Sequence, residues 1–267
     1  MTKAATKYIH LLKRKRIWTP VSVSAGQLMR TKECRRAIKR DPRLEAQGKE
    51  VVYRALALRS LEIPVGDFIA DAMKGDLPQG IEAEGCRELL LSNVKDEEKH
   101  DIALNFAAEA HQVPAQFERE AARITKAWLE LDRHPVLKAV VLERSVFFVL
   151  LPIFRFLGDT GLRTTSADIS RDETTHVAAN TIVCQELGLK TDKELNKLRR
   201  ATVAWVLQSL QGETEVQADH KHFSSNFWLG CSDSLYTSGK ALGLSDTRAS
   251  RFPAFFESSN VNLPMYS

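Results

Sequence analysis

Two short runs decide the reading of this chain: Asp96-Glu97-Glu98-Lys99-His100 and Asp172-Glu173-Thr174-Thr175-His176. Each is an Asp-Glu-x-x-His run inside a segment whose apolar residues recur at helical spacing. Residues three apart share a helix face, so Glu97 points with His100 and Glu173 with His176. A carboxylate and an imidazole on one face, presented twice, is the ligand set of a dinuclear iron or manganese site between facing helices. A single Glu-x-x-His arises readily by chance in a charged helix. Two copies, each preceded by Asp and separated by a lone Glu143 on an apolar helix, do not.

The rest of the chain agrees. Its 267 residues suffice for one sizeable core, or a core with an appendage. With 43% hydrophobic residues, 13 Gly and 9 Pro, it suits a helical globule better than a disordered chain. Cys34, Cys86, Cys184 and Cys231 are scattered and form no CxxC pair, which argues against zinc and iron–sulfur sites. Such usage suits reduced thiols in the cytoplasm. The basic start lacks the apolar stretch of a secretory signal. The most apolar stretch, 139–157, is interrupted by Glu143, Arg144 and Arg155, so it reads as a buried core helix with no membrane partner.

Charge is uneven. Residues 1–45 carry thirteen Lys/Arg against three acids, a net +10, whereas the whole chain carries +4. This basic segment reads either as a solvated arm or as a docking surface for an acidic partner: an electron donor, an acidic carrier or a polyanion. No aromatic interleaving supports nucleic acid. Helices are expected over 44–73, 81–111, 114–131, 136–157, 166–187, 192–211 and 213–242, with a turn at 74–80 and no strands. Three units follow: a basic arm at 1–45, a helical bundle at 46–245 and an irregular tail at 246–267.

Glu97, His100, Glu143, Glu173 and His176 fill five of six ligand positions in a bundle where two helices give one Glu and two give Glu-x-x-His. The sixth belongs to the 44–73 helix. Glu62 is preferred, being in phase with Leu58 and Ile69 on the apolar stripe. Asp67 is the rival, placed beyond Pro64, which should disturb the helix. Four carboxylates and two imidazoles suit iron or manganese rather than tetrahedral zinc.

These motifs resemble the ferritin-like di-iron carboxylate superfamily, over roughly residues 48–190. Arg171-Asp172-Glu173-Thr174-Thr175-His176 is similar to the Arg-Asp-Glu-x-x-His of the ribonucleotide reductase small subunit, as is Leu142-Glu143 followed by Phe147-Phe148. The doubled Asp-Glu-x-x-His is closer to bacterial di-iron monooxygenases. The resemblance implies an all-α fold, a ferritin-like four-helix bundle core with extra helices. It also implies that Asp172 orients His100 and Asp96 orients His176 across the site. The radical tyrosine usual in the reductase subunit has Leu104 in its place, and only Tyr8, Tyr53, Tyr236 and Tyr266 exist. The chain is also short for that family and lacks its acidic, Phe-ending tail.

The function expected is therefore a dioxygen-activating oxidase or oxygenase holding two Fe ions, or an Fe/Mn or Mn/Mn pair. It would act on an organic substrate, with electrons from a ferredoxin or flavin reductase; a homodimer is an open expectation. The alternatives are a tyrosine-free reductase small subunit, with a radical path through Trp18, Trp205 or Tyr266, and a non-catalytic metal-binding protein. His220 and His222, two apart, read as polar surface, and His111 and His134 as helix-end residues. Pro152 should kink its helix. Ala103, Ala107, Phe147 and Leu150 would line a pocket near the metals or simply fill the core.

Overall fold

The computed structural model describes residues 3–74 and 85–238. The expected turn after residue 74, the start of the 81–111 helix, the end of the 213–242 helix and the tail at 246–267 lie outside these residues. The described residues are helical, with no strand among them. In order they form α1 (Lys3–Leu12), α2 (Lys32–Arg40), α3 (Arg43–Ala57), α4 (Glu62–Lys74), α5 (Cys86–Ala110), α6 (Ala115–Glu130), α7 (Pro135–Leu142), α8 (Phe148–Leu157), α9 (Thr160–Glu186), α10 (Lys193–Val206), α11 (Glu215–Asp219) and α12 (Ser225–Ser238). Around one interior, α4 packs on α5 and α7, and α9 packs on α5, α7 and α8. Buried residues lie on nearly every side of α9, as expected of a helix inside the core.

Several boundaries depart from the sequence expectation. The basic segment contains α1 and α2, and the single helix expected over 213–242 is broken into α11, a 3-10 turn at Lys221–Phe223 and α12. Three further departures have a local cause. The single helix expected over 44–73 is two helices, joined by a 3-10 turn at Leu58–Leu61. Pro64 thereby falls in the first turn of α4, where its missing N–H costs no intrahelical bond. The single helix expected over 136–157 is interrupted by a π turn at Glu143–Phe147. Pro152 crowds the carbonyl four residues before it, that of Phe148, and Phe148 is where the π turn ends, its N–H reaching back to the Glu143 carbonyl. The helix expected from 166 begins at Thr160 instead, because Asp159 caps it by accepting the Leu162 N–H at 2.8 Å. Gly158 precedes that cap; a Cβ there would sit 2.1 Å from the Phe154 carbonyl.

The π turn is braced from outside by α12. Ser232 Oγ donates to the Ser145 carbonyl at 2.6 Å, and Arg144 Nε donates to the Leu235 carbonyl at 2.7 Å. Arg199 of α10 in turn donates to Ser232 Oγ at 2.6 Å. These bonds fix the backbone that carries Glu143.

The basic segment is not a solvated arm. Tyr8, Met29, Cys34 and Ala37 are buried in the common core, and α1 lies on α5 and α9. Its cations are interleaved with enough apolar side chains to dock it, and burial of those side chains outweighs the order they give up. No described helix is long and apolar enough to cross a membrane.

Ser232→Ala leaves both the Arg199 guanidinium and the Ser145 carbonyl short of a partner in a buried setting. It should lower stability by about 1–3 kcal/mol, read from the denaturant midpoint. A change of only a few tenths of a kcal/mol would show that the π turn does not depend on α12.

Candidate metal centre

The helix starts and the π turn bring six ionisable side chains to one point. Glu62 opens α4, Glu97 and His100 sit on successive turns of α5, Glu143 opens the π turn, and Glu173 and His176 sit mid-way along α9. Their ligand atoms form two overlapping groups, Glu62–Glu97–His100–Glu173 and Glu97–Glu143–Glu173–His176, with all atoms within 4.8 Å of one another in each. Glu97 and Glu173 belong to both. None of the six is more than 3% exposed. Asp67, the rival for the first helix, is exposed on α4 and is not in either group.

Polar accounting tests whether cations fit here. Glu62 Oε2, Glu97 Oε1, both Glu173 oxygens and His176 Nδ1 are buried without a well-formed hydrogen bond, although Glu97 Oε1 and His176 Nδ1 face each other at 2.8 Å. Buried polar atoms are usually paired, and these five gather around one point. Two divalent cations would satisfy them, and the charge of four carboxylates would balance theirs. The donor set fits.

Both imidazoles are turned the same way. His100 Nδ1 faces Glu97 Oε2 at 3.3 Å and Glu173 Oε1 at 3.4 Å, and His176 Nδ1 faces Glu97 Oε1 at 2.8 Å. The outer nitrogens meet the doubled aspartates: His100 Nε2 lies 3.3 Å from Asp172 Oδ2, and His176 Nε2 lies 3.1 Å from Asp96 Oδ2. An anionic acceptor on Nε2–H fixes the tautomer and leaves the Nδ1 lone pair aimed into the cluster. The aspartates have outer partners of their own. Lys15 ion-pairs with Asp96, Lys99 Nζ lies 2.5 Å from Asp96 Oδ1, and Trp18 Nε1 donates to Asp172 Oδ2 at 2.6 Å.

Sequence reasoning missed Asn180 and Lys15 and named Trp18 only as a step on a radical path. Asn180 donates to both Glu143 oxygens, at 3.0 and 2.9 Å. It lies one turn beyond His176, in phase with the ligands, and that spacing could have flagged it. Lys15 and Trp18 approach from a non-helical segment with no periodicity to betray them. Elsewhere, His222 is not surface: it is 4% exposed, stacks on Phe156 with ring centres 3.7 Å apart, and burial pushes its pKa down to about 4. His111 caps the end of α5, and His134 precedes α7.

Without cations, the cluster must hold protons. Burial, reinforced by neighbouring carboxylates, lifts Glu62, Glu143 and Glu173 above the ordinary glutamate range. Burial opposes charge on His176, yet Glu97 and Asp96 raise it to about 10; His100 is likewise raised, by Asp172, Glu173, Glu62 and Glu97. Glu97 goes the other way: burial opposes its charge, but His176 and His100 outweigh burial and hold it below the usual range.

Two predictions follow from this geometry. Glu62→Ala should abolish dinuclear binding by isothermal titration with Mn(II), while Asp67→Ala leaves it intact; the reverse result would place the ligand beyond Pro64. The metal-free fold binds more protons than the unfolded chain above the ordinary Glu pKa, so its stability should fall as pH rises from there toward about 10, the raised His176 value. The depressed Glu97 acts in the opposite sense only below that window. Saturating Mn(II) should flatten or reverse the slope, because cations take the place of the protons. Thermal melts across pH with and without metal decide it, and a metal-free melt that is flat or rises would refute the proton-loaded cluster. A scan against protein-family models and searches of curated proteins and of solved structures find no match, so the reading of this centre rests on its own geometry.

Proposed function

We propose that the chain is a ferritin-like dimetal carboxylate oxidase or oxygenase. Its four-helix bundle would be α4, α5, the α7–α8 rod and α9, holding two iron ions, or an iron–manganese or dimanganese pair. The carrying observation is that the two ligand groups share Glu97 and Glu173, so either carboxylate could serve both ions. When bound, such ions supply electrons and open coordination positions for dioxygen, which is used to oxidise an organic substrate. A ferredoxin or flavin reductase would return the electrons.

The chain's own residues set the conditions. Asp96 and Asp172 hold the imidazole protons outward on Nε2. Asn180 holds Glu143 by both oxygens and so fixes its rotamer. Beside Glu62 lies a small apolar cavity of about 10 Å³, lined among others by Leu58, Leu104, Phe147 and Leu150. That is at the lower limit for a single water, so the space beside Glu62 is tightly packed. Leu104 occupies the place of the reductase subunit's tyrosine and presents only hydrocarbon there.

One observation favours the second reading, a reductase small subunit without that tyrosine. Trp18 stacks on His100 with ring centres 6.1 Å apart and is hydrogen-bonded to Asp172, giving an oxidisable side chain in contact with a ligand. Complex formation with a catalytic reductase subunit would separate it from the oxygenase.

The test is anaerobic loading with Fe(II), followed by dioxygen pulses with and without reductant. Catalysis predicts dioxygen consumption that continues only with electrons supplied, at a fixed metal content. Iron accumulating well beyond the loaded centre would indicate storage and contradict the proposal. Asp172→Asn and Asp96→Asn should still load metal at saturation but consume dioxygen about 10- to 100-fold more slowly. Parent-like rates in both would make the doubled Asp incidental.

A further inference from the structure

Residues 13–31 join α1 to α2 without helix, and Lys15 and Trp18 within them meet the outer side of the candidate metal cluster. Lys15 and Trp18, three residues apart, reach the two aspartates separately. Lys15 ion-pairs with Asp96 and donates to Asn93 Oδ1 at 2.9 Å; Trp18 Nε1 donates to Asp172 Oδ2 at 2.6 Å. Each aspartate faces one ligand imidazole. One strap therefore closes both Asp–His pairs from outside.

The other side of the strap faces solvent. Ile17, between the two anchored residues, is fully exposed, and Val21 is 67% exposed. Lys13, Arg14 and Arg16 are exposed beside it, so of four consecutive cations only Lys15 is consumed internally. Arg16, Ile17, Trp18 and Arg171 border a cavity of about 180 Å³ that reaches Asp168 and Asp172. A bare apolar anchor ringed by cations, with a recess beside it, is the pattern of a docking site rather than of a merely solvated loop.

We infer that this strap is the docking surface for an acidic one-electron donor protein, which buries Ile17 and sets its carboxylates against Lys13, Arg14 and Arg16. The need for electrons rests on the dimetal reading; the docking geometry does not. Complementary charge steers such a partner to the site, and only the Trp18 indole then separates it from His100. A polyanion would use the cations but has nothing with which to cover Ile17. Each encounter passes one electron: the donor leaves oxidised by one electron, and the oxidised centre gains one.

The probe is an acidic [2Fe–2S] ferredoxin, fluorescently labelled and titrated onto the protein, with and without metal, at low salt. Arg14→Glu/Arg16→Glu should weaken binding at least about tenfold, and Ile17→Ser several-fold. Lys190→Glu/Lys193→Glu, which makes the same change in net charge on another surface, should have no effect. In metal-loaded protein the rate of reduction by ferredoxin should fall in parallel, while the rate with reduced methyl viologen stays constant. Equal affinity for the strap and control variants overturns the inference. So does binding that ignores Ile17→Ser and is matched by heparin, which would make the strap a polyanion site. Protein that takes up no metal but still binds ferredoxin through the strap would sink the dimetal reading and leave the docking surface standing.

Discussion

Everything in this structure is arranged around one electrostatic constraint: four glutamates and two histidines meet in a space closed to water. An unpaired buried carboxylate costs several kcal/mol even after relaxation. Total folding stability is usually only about 5–15 kcal/mol, so four such charges cannot all stand uncompensated. Either protons or cations must occupy the cluster. The raised pKa values of three glutamates and both histidines describe the first state, and the orphaned oxygens describe the readiness for the second. Outside the cluster, Asp96 is paired with Lys15 and Lys99 and Asp172 accepts from the Trp18 indole, so both aspartates have partners outside the inner group.

The fold delivers those side chains by breaking helical regularity at chosen places. The 3-10 turn at Leu58–Leu61 restarts the helix so that Glu62 opens α4 and points inward. The π turn begins at Glu143, and its widened backbone is held by Ser232 and Arg144 bonds to and from α12. Asp159 starts α9 early and gives it 27 residues, so that Glu173 and His176 fall mid-helix, where fraying is least. Asn180, a further turn along, then fixes Glu143 from across the site.

Local spacing made the ligands legible. Glu97 with His100 and Glu173 with His176 are pairs that any helix must place on one face, and Glu143 and Glu62 lay on apolar stripes. The all-helical class was equally plain, since no stretch alternates with period two. The irregularities were harder to see. Pro64 suggested damage to a helix, but a proline in a first turn does none, and only the position of the 3-10 turn decides which case holds. The π turn leaves no periodic trace. The basic segment read as a solvated arm because its charge hides Tyr8, Met29 and Cys34, whose burial depends on long-range packing. The contacts of Lys15 and Trp18 with the two aspartates were invisible for the same reason: those partners lie 81 and 154 positions away.

The proposed bridged pair is most directly tested by metal analysis combined with X-ray absorption on protein loaded with Fe(II) or Mn(II). Shared Glu97 and Glu173 predict about two ions per chain, roughly 3.5–4 Å apart, with both ions lost together in Glu97→Ala and in Glu173→Ala. A single ion per chain, two ions without a metal–metal vector, or full occupancy in both variants would contradict the bridged centre.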